Sequence, residues 1–330
     1  MVVSCQAAPG PARLTVLLAE PRGFCAGVER AIEIVERALA IHGAPVYVRH
    51  EIVHNRRVVE ALERQGAIFV EEVDAIPPGA VTVFSAHGVA HGVERDAAAR
   101  GLAVIDATCP LVAKVHKEAQ RFADQGREVV LIGHAGHPEV EGTLGRLDGP
   151  VHLVASVAEA EALTPSDSAR LAYVTQTTLS LDDTRAILAV LERRFPGLQG
   201  PHTGDICYAT QNRQTAARAL ARRVEAMLVV GAANSSNSNR LREVAAAEGV
   251  PSFLVEEPRD FDLALLGAAG VIGITAGASA PEILVQELLA RLAERYDLTV
   301  ERVDGVAENV HFRLPPEVES LPVQANSAKA

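Results

Sequence analysis

Cys25, Cys109 and Cys207 are the residues whose type and spacing point most directly to chemistry in this 330-residue chain. They lie 84 and 98 residues apart, and each falls between a strand-like apolar run and a segment of helical periodicity. None belongs to a C-x-x-C pair, so neither a zinc ribbon nor a bacterial ferredoxin run is present. A helix starting just after each cysteine would aim free N–H groups and a positive dipole end at the sulfur, which favours thiolate. Iron–sulfur clusters are usually held by four cysteines. Three converging thiolates would leave one iron open to a substrate, much as a catalytic zinc keeps an open position. Spacing alone leaves this reading level with that of three unrelated buried thiols. Cys5 lies outside the pattern.

A second set of polar residues recurs on nearly the same period. His54 follows Cys25 by 29 residues, His137 follows Cys109 by 28, and Ser235 follows Cys207 by 28. Each third then carries one more polar loop: His87 in SAHG, Thr177 in TQTT, and Ser279 in TAGAS. With Ser236 and Asn237, these groups sit at strand-to-helix junctions, where helix N-termini add further donors. The ensemble describes an anion pocket suited to phosphate or diphosphate. Taken singly, each Ser, Thr or Asn reads as an ordinary N-cap. No Walker A loop and no G-x-G-x-x-G fingerprint opens a helix, which favours a small phosphorylated metabolite over a nucleotide. The run GHAGHPEVEGT (133–143) reads as a loop. Beside thiolates and a bound phosphate, the Glu139 carboxyl would have a raised pKa and serve as a proton donor. Alone it would read as a solvated acid, as Glu141 does.

The elements that must position these groups alternate strand and helix. LTVLLAE (14–20) is a buried strand, VERAIEIVERALAIHG (28–43) is helical, and the order repeats to PEILVQELLARLAERY (281–296). This predicts an α/β fold with mostly parallel sheets. The repeat of element order suggests three similar lobes at 14–108, 109–204 and 205–308, between a tail at 1–13 and an arm and mobile tail at 309–330. The uncharged stretch Leu263 to Ala280 holds four glycines and reads as a helix end, a strand and a loop rather than a membrane span. A net charge of −11, 4% aromatic residues and no Trp argue against nucleic-acid or anionic-membrane partners. Four cysteines and the absence of a secretion signal lead to an expectation of a soluble, cytoplasmic protein.

Nine motifs occur in order between Leu14 and Phe312: RGFCAGVERAIEIVE, EIVHN, SAHGV, DATCPLVAKVH, GHPEVEGT, VTQTTLS, DICYATQNRQ, NSSNSNRL and TAGASAPE. Together they closely resemble the 4-hydroxy-3-methylbut-2-enyl diphosphate reductase family, also called LytB. The resemblance implies a trefoil-like arrangement of the three lobes around a [4Fe–4S] cluster. Cys25, Cys109 and Cys207 would be its ligands, and the fourth iron would be open to substrate. It implies diphosphate contacts from His54, His87, His137, Ser235, Ser236, Asn237 and Ser279. Thr177 would lie near the substrate hydroxyl, and Glu139 would be the proton donor. The implied reaction removes an allylic hydroxyl with two electrons to give isopentenyl and dimethylallyl diphosphates, the last step of the methylerythritol phosphate route. Ferredoxin or flavodoxin would supply the electrons. One departure is visible: many members read Lys-Asn-Ser-Ser-Asn where this chain has Ala233. The competing readings are a non-catalytic iron–sulfur carrier or oxygen sensor, and a zinc-thiolate protein using His137 or Glu139. A nicotinamide enzyme is the weakest of them, for want of the phosphate fingerprint.

Overall fold

The computed structural model describes residues 12–319. After β1 (Ala12–Leu18) and α1 (Ala26–His42), the chain builds a first sheet. Its elements are β2 (Val46–Arg49), α2 (Arg56–Gln65), β3 (Ala67–Val70), β4 (Val81–Phe84), α3 (His91–Ala99) and β5 (Ala103–Asp106), with strand order β3-β2-β4-β5. A second unit follows: α4 (Pro110–Asp124), β6 (Glu128–Ile132), α5 (Pro138–Leu144), β7 (Val151–Val154), α6 (Val157–Ala162), β8 (Leu171–Thr175) and α7 (Leu181–Arg194), ordered β7-β6-β8. The third contains α8 (Tyr208–Ala221), β9 (Ala226–Val230), α9 (Ser236–Ala247), β10 (Ser252–Val255), β11 (Val271–Ala276), α10 (Glu282–Ala293) and β12 (Tyr296–Arg302). A short α11 (Pro316–Glu319) closes the described chain.

Every ladder between these strands is parallel. Parallel sheets bury both faces under crossover helices, and their strands read as continuous apolar runs. β6 (EVVLI) and β9 (AMLVV) are buried at every position. Each sheet is accordingly flanked by two apolar clusters, such as that of Leu228, Ile274 and Leu288 on one face of the third sheet and that of Leu220, Met227 and Val229 on the other. The three-lobed α/β expectation is met. Among the described residues, no helix is long and apolar enough to cross a membrane; Leu263 to Ala280 resolves into a 3-10 turn, β11 and a loop.

The lobe boundaries differ from expectation at both ends. Residues 14–18 were assigned to the first lobe and 12–13 to a tail, but β1 lies in the third sheet, in the order β10-β9-β11-β1-β12. Its Val16 and Leu18 join the core of that lobe, where a strand buried on both faces fits an interior position. The chain therefore crosses from the third lobe to the first between Leu18 and α1, through the Cys25 loop. The Gly23 and Cys25 amides tie this loop to the Ala276 and Ala278 carbonyls after β11. The last helix also ends earlier than its periodicity suggested, and Tyr296–Arg302 forms the edge strand β12. Residues 303–315 have no regular structure, and within the arm α11 docks on the first lobe with Val318 fully buried beside Leu314. This corrects the expected mobility for residues 315–319; the rest of that tail, like residues 1–11, lies outside the described residues.

Candidate functional site

Three helices begin at the three cysteines. Cys25, Cys109 and Cys207 are the N-cap residues of α1, α4 and α8. Helix N-termini leave amides without intrahelical partners, and the Cys207 sulfur accepts from the Thr210 amide at 3.4 Å and lies 3.1 Å from the Thr210 hydroxyl. The elements bring all three thiols to the wall of one cavity of about 110 Å³. A Cβ on Gly27 would stand 2.8 Å from the Cys109 sulfur and 3.8 Å from that of Cys25, so only a residue without one leaves both sulfurs room. Among the described residues, no three His, Cys, Asp or Glu groups are spaced to hold a single metal ion. The thiols border a space rather than a point.

Without metal, burial outweighs the preference of the helix ends for thiolate. Burial pushes all three thiols up, Cys109 to about 12 and Cys207 to about 11, against the lowering effect of helix N–H groups. A sulfur so desolvated ionises when a bound metal supplies the compensating charge. This donor set of three thiols, helix amides and a glycine cradle fits a metal–sulfur cluster better than a free redox thiol.

The same cavity carries a set of polar groups. His54 stacks on His87 with ring centroids 4.2 Å apart, and His137 meets both edge-on at 5.5 and 5.9 Å. The His54 Nε2 is buried and has no hydrogen-bond partner among the described residues. The segment read as a loop is helical from Pro138: proline at the first helical position costs no hydrogen bond and presets φ. His137 caps that helix, accepting the Glu139 amide on Nδ1 at 3.2 Å. Glu139 is 3% exposed, and its carboxylate accepts from the Thr177 amide at 2.6 Å and the Thr177 hydroxyl at 3.0 Å. Burial raises its pKa to about 7; the two Thr177 bonds pull the other way, and Asp205 adds to the rise. Desolvation therefore supplies what was expected from neighbouring negative charge. Glu141 points outward, as anticipated.

Ser235 caps α9, accepting from the Ser238 amide at 3.3 Å. Its hydroxyl lies 3.5 Å from that of Ser279, which donates to the His54 carbonyl at 3.0 Å. Asn237 is partly spent on architecture: its Oδ1 accepts the Ala278 amide and its Nδ2 donates to Thr210. Ser236 accepts from the Thr178 hydroxyl at 3.0 Å. All the expected site residues line the one cavity. Two larger cavities, about 380 and 230 Å³, contain none of them. Sequence reasoning missed Thr210, three residues after Cys207, and Glu51, three before His54. Both stand at the i,i+3 spacing that lets a side chain reach its neighbour's polar group.

Fold and site together define an α/β protein of three parallel-sheet lobes with one cavity lined by three thiols, three histidines and a buried carboxyl. The chain belongs to the LytB family: the model of that family, described as LytB protein, matches residues 16–293. It is 56% identical over 308 residues to the 4-hydroxy-3-methylbut-2-enyl diphosphate reductase of Zymomonas mobilis, covering 93% of this chain and 91% of that one. To 4-hydroxy-3-methylbut-2-enyl diphosphate reductase 2 of Bradyrhizobium diazoefficiens it is 58% identical over 305 residues, covering 92% and 99%. Among solved structures it resembles the E-1-hydroxy-2-methyl-but-2-enyl-4-diphosphate reductase of Plasmodium falciparum, with TM-score 0.89, 38% identity, and 93% and 97% of the two chains covered. It also resembles a (E)-4-hydroxy-3-methyl-but-2-enyl diphosphate reductase described as the terminal enzyme of the non-mevalonate pathway, with TM-score 0.60, 29% identity and coverages of 85% and 99%.

Proposed function

We propose that this chain is a 4-hydroxy-3-methylbut-2-enyl diphosphate reductase of the cytoplasm, taking electrons from a ferredoxin or flavodoxin. The observation that carries the reading is one cavity lined at once by three thiols and by histidines, hydroxyls and the protonatable Glu139. Cys25, Cys109 and Cys207 would hold a [4Fe–4S] cluster. When bound, that group supplies electrons one at a time and an open iron acting as a Lewis acid. The overall change adds two electrons and two protons: the allylic C–O bond breaks, water leaves, and a C–H bond forms.

The chain's own residues bind, orient and protonate. Ser235 and Ser236 at the head of α9, with Ser279 and the histidines, would anchor the diphosphate and so fix the reacting end. Hydroxide is a poor leaving group. The Glu139 carboxyl, kept protonatable near neutrality by burial, would deliver the proton that turns it into water. The Thr177 hydroxyl, already bonded to that carboxylate, can pass the proton or hold the substrate oxygen in line.

A non-catalytic iron–sulfur carrier or sensor has no use for the polar groups. Iron-57 Mössbauer spectra of anaerobically reconstituted protein, with and without the hydroxylated diphosphate, test the assignment. Four irons, one of them distinct and shifting on substrate addition, are expected. Four irons indifferent to substrate would favour the carrier, and no cluster at all would refute the three-cysteine site.

A further inference from the structure

Among the described residues, no lysine or arginine lines the cavity to which a diphosphate is assigned. A multiply charged anion leaving water there needs compensating charge as well as donors. The histidines are the basic side chains on the wall, and their ring partners differ. His137 Nδ1 accepts the Glu139 amide, which leaves the proton of its neutral ring on Nε2. His87 Nδ1 lies 3.2 Å from the Ser85 hydroxyl, which can donate to it with the same result. Both rings can therefore donate into the cavity while neutral. Burial, followed by the nearness of His54, holds both below the usual imidazole range, His137 at about 3.

His54 is built differently. Its Nδ1 lies 3.2 Å from Glu51 Oε2. A carboxylate only accepts, so Nδ1 carries the hydrogen, and the Nε2 of a neutral ring is then a bare lone pair. That Nε2 is buried and, among the described residues, unpartnered. Facing phosphate oxygens it would repel them; with a second proton it becomes a charged donor. The same Glu51 oxygen accepts from Asn234 Nδ2 at 2.9 Å, directly before the Ser235 anion loop. One carboxylate thus spans the first and third lobes at the diphosphate end. The groups facing His54 are Glu51, His87 and His137. Nearby, His50 turns to Glu71 at 3.6 Å and Arg49 to Glu72 at 3.2 Å, and none of these four lines the cavity.

We propose that Glu51 is a positioning residue that lets His54 dock the diphosphate as an imidazolium, supplying the cationic charge the cavity otherwise lacks. The inference rests on the diphosphate reading of the site.

The test uses cluster-loaded protein and inorganic diphosphate, titrated calorimetrically from about pH 5.5 to 8.5, the range across which imidazole charge changes. KM and kcat are measured alongside. Glu51→Gln keeps an acceptor for Nδ1 but loses the charge. It should weaken diphosphate binding and raise KM by about tenfold or more at the alkaline end, the worth of a charge-assisted hydrogen bond, with kcat within about threefold. Because the carboxylate favours the charged ring, the loss should shrink as pH falls, and Glu51→Asp should restore much of the affinity. Combining Glu51→Gln with His54→Gln should add little to the histidine change alone. Binding by Glu51→Gln within twofold of the parent at every pH, or a loss equal at all pH values, would overturn the proposal. No diphosphate binding by the parent protein would instead overturn the substrate reading beneath it.

Discussion

Replacing Arg213 by methionine should cost the protein about 3–5 kcal/mol, the range for breaking one side of a buried ion pair. Arg213 is 1% exposed and lies on α8, six residues after Cys207. Its guanidinium donates to the Gly23 carbonyl at 3.1 and 2.9 Å, the Phe24 carbonyl at 3.3 Å and the Ala209 carbonyl at 3.1 Å. It also meets both carboxylate oxygens of Glu308, at 3.0 and 3.1 Å. Methionine fills similar space but leaves Glu308, 13% exposed, without its cation and the Gly23 carbonyl without these donors. Asn212 still donates to Glu308 at 3.0 Å, and a stranded acceptor costs about 1–3 kcal/mol, more when charged, so the two together reach the range. Glu308→Gln should cost less, because Arg213 keeps its carbonyl partners. The double variant should cost less than the sum, since neither charge is stranded. Urea unfolding of the metal-free protein, followed by far-ultraviolet circular dichroism, measures all three. The same guanidinium grips the backbone immediately before Cys25, so iron bound per chain after reconstitution should fall with stability. A change below about 1 kcal/mol, or full iron loading in Arg213→Met, would refute the reasoning.

Glu139→Gln should retain cluster and diphosphate binding while lowering kcat by about 10²–10⁴, the usual worth of general acid catalysis; near-normal turnover would remove Glu139 from the donor role. The protonated fraction of Glu139 falls as pH rises through about 7, so kcat should decline on the alkaline side from about there, and Glu139→Gln should flatten that limb. A pH profile with the same limb in both proteins would assign it elsewhere. Ala233 is exposed one residue before Asn234, and Ala233→Lys should lower KM severalfold with kcat little changed; steady-state kinetics showing a pure kcat effect would sink that expectation. Gly27→Ala drives a methyl to within 2.8 Å of the Cys109 sulfur, so iron content and the visible charge-transfer absorbance should drop while the metal-free protein stays folded. Full loading would mean the loop yields.

The cysteines, histidines and Glu139 were legible because each sits in a short motif whose residue types carry the chemistry. Other features depend on partners far away in sequence. Nothing in LTVLL says which sheet it joins; a strand buried on both faces suits any interior position, and the third sheet won because β11 and β12 leave one between them. At the cysteines, likewise, burial pushes the thiols up against the helix N–H groups, which adjacency in sequence does not show. Pro138 looked like a loop residue because its value as a helix starter shows only once His137 is seen capping. Glu51 was overlooked because its second partner, Asn234, is 183 residues away.

The seating of β1 between β11 and β12 has a consequence for synthesis of the chain. The strand leaves the ribosome well before its partners, which are residues 271–274 on one side and 296–302 on the other. At about 5–20 residues per second, the roughly 250 residues between them take on the order of tens of seconds to emerge. For that time an apolar strand with two unpaired edges waits, tethered by the Cys25 loop to a first lobe whose own sheet does not include it. Such a strand is a template for pairing with another chain. The third lobe therefore closes last, and the Cys25 loop gains its Ala276 and Ala278 partners only once β11 has arrived.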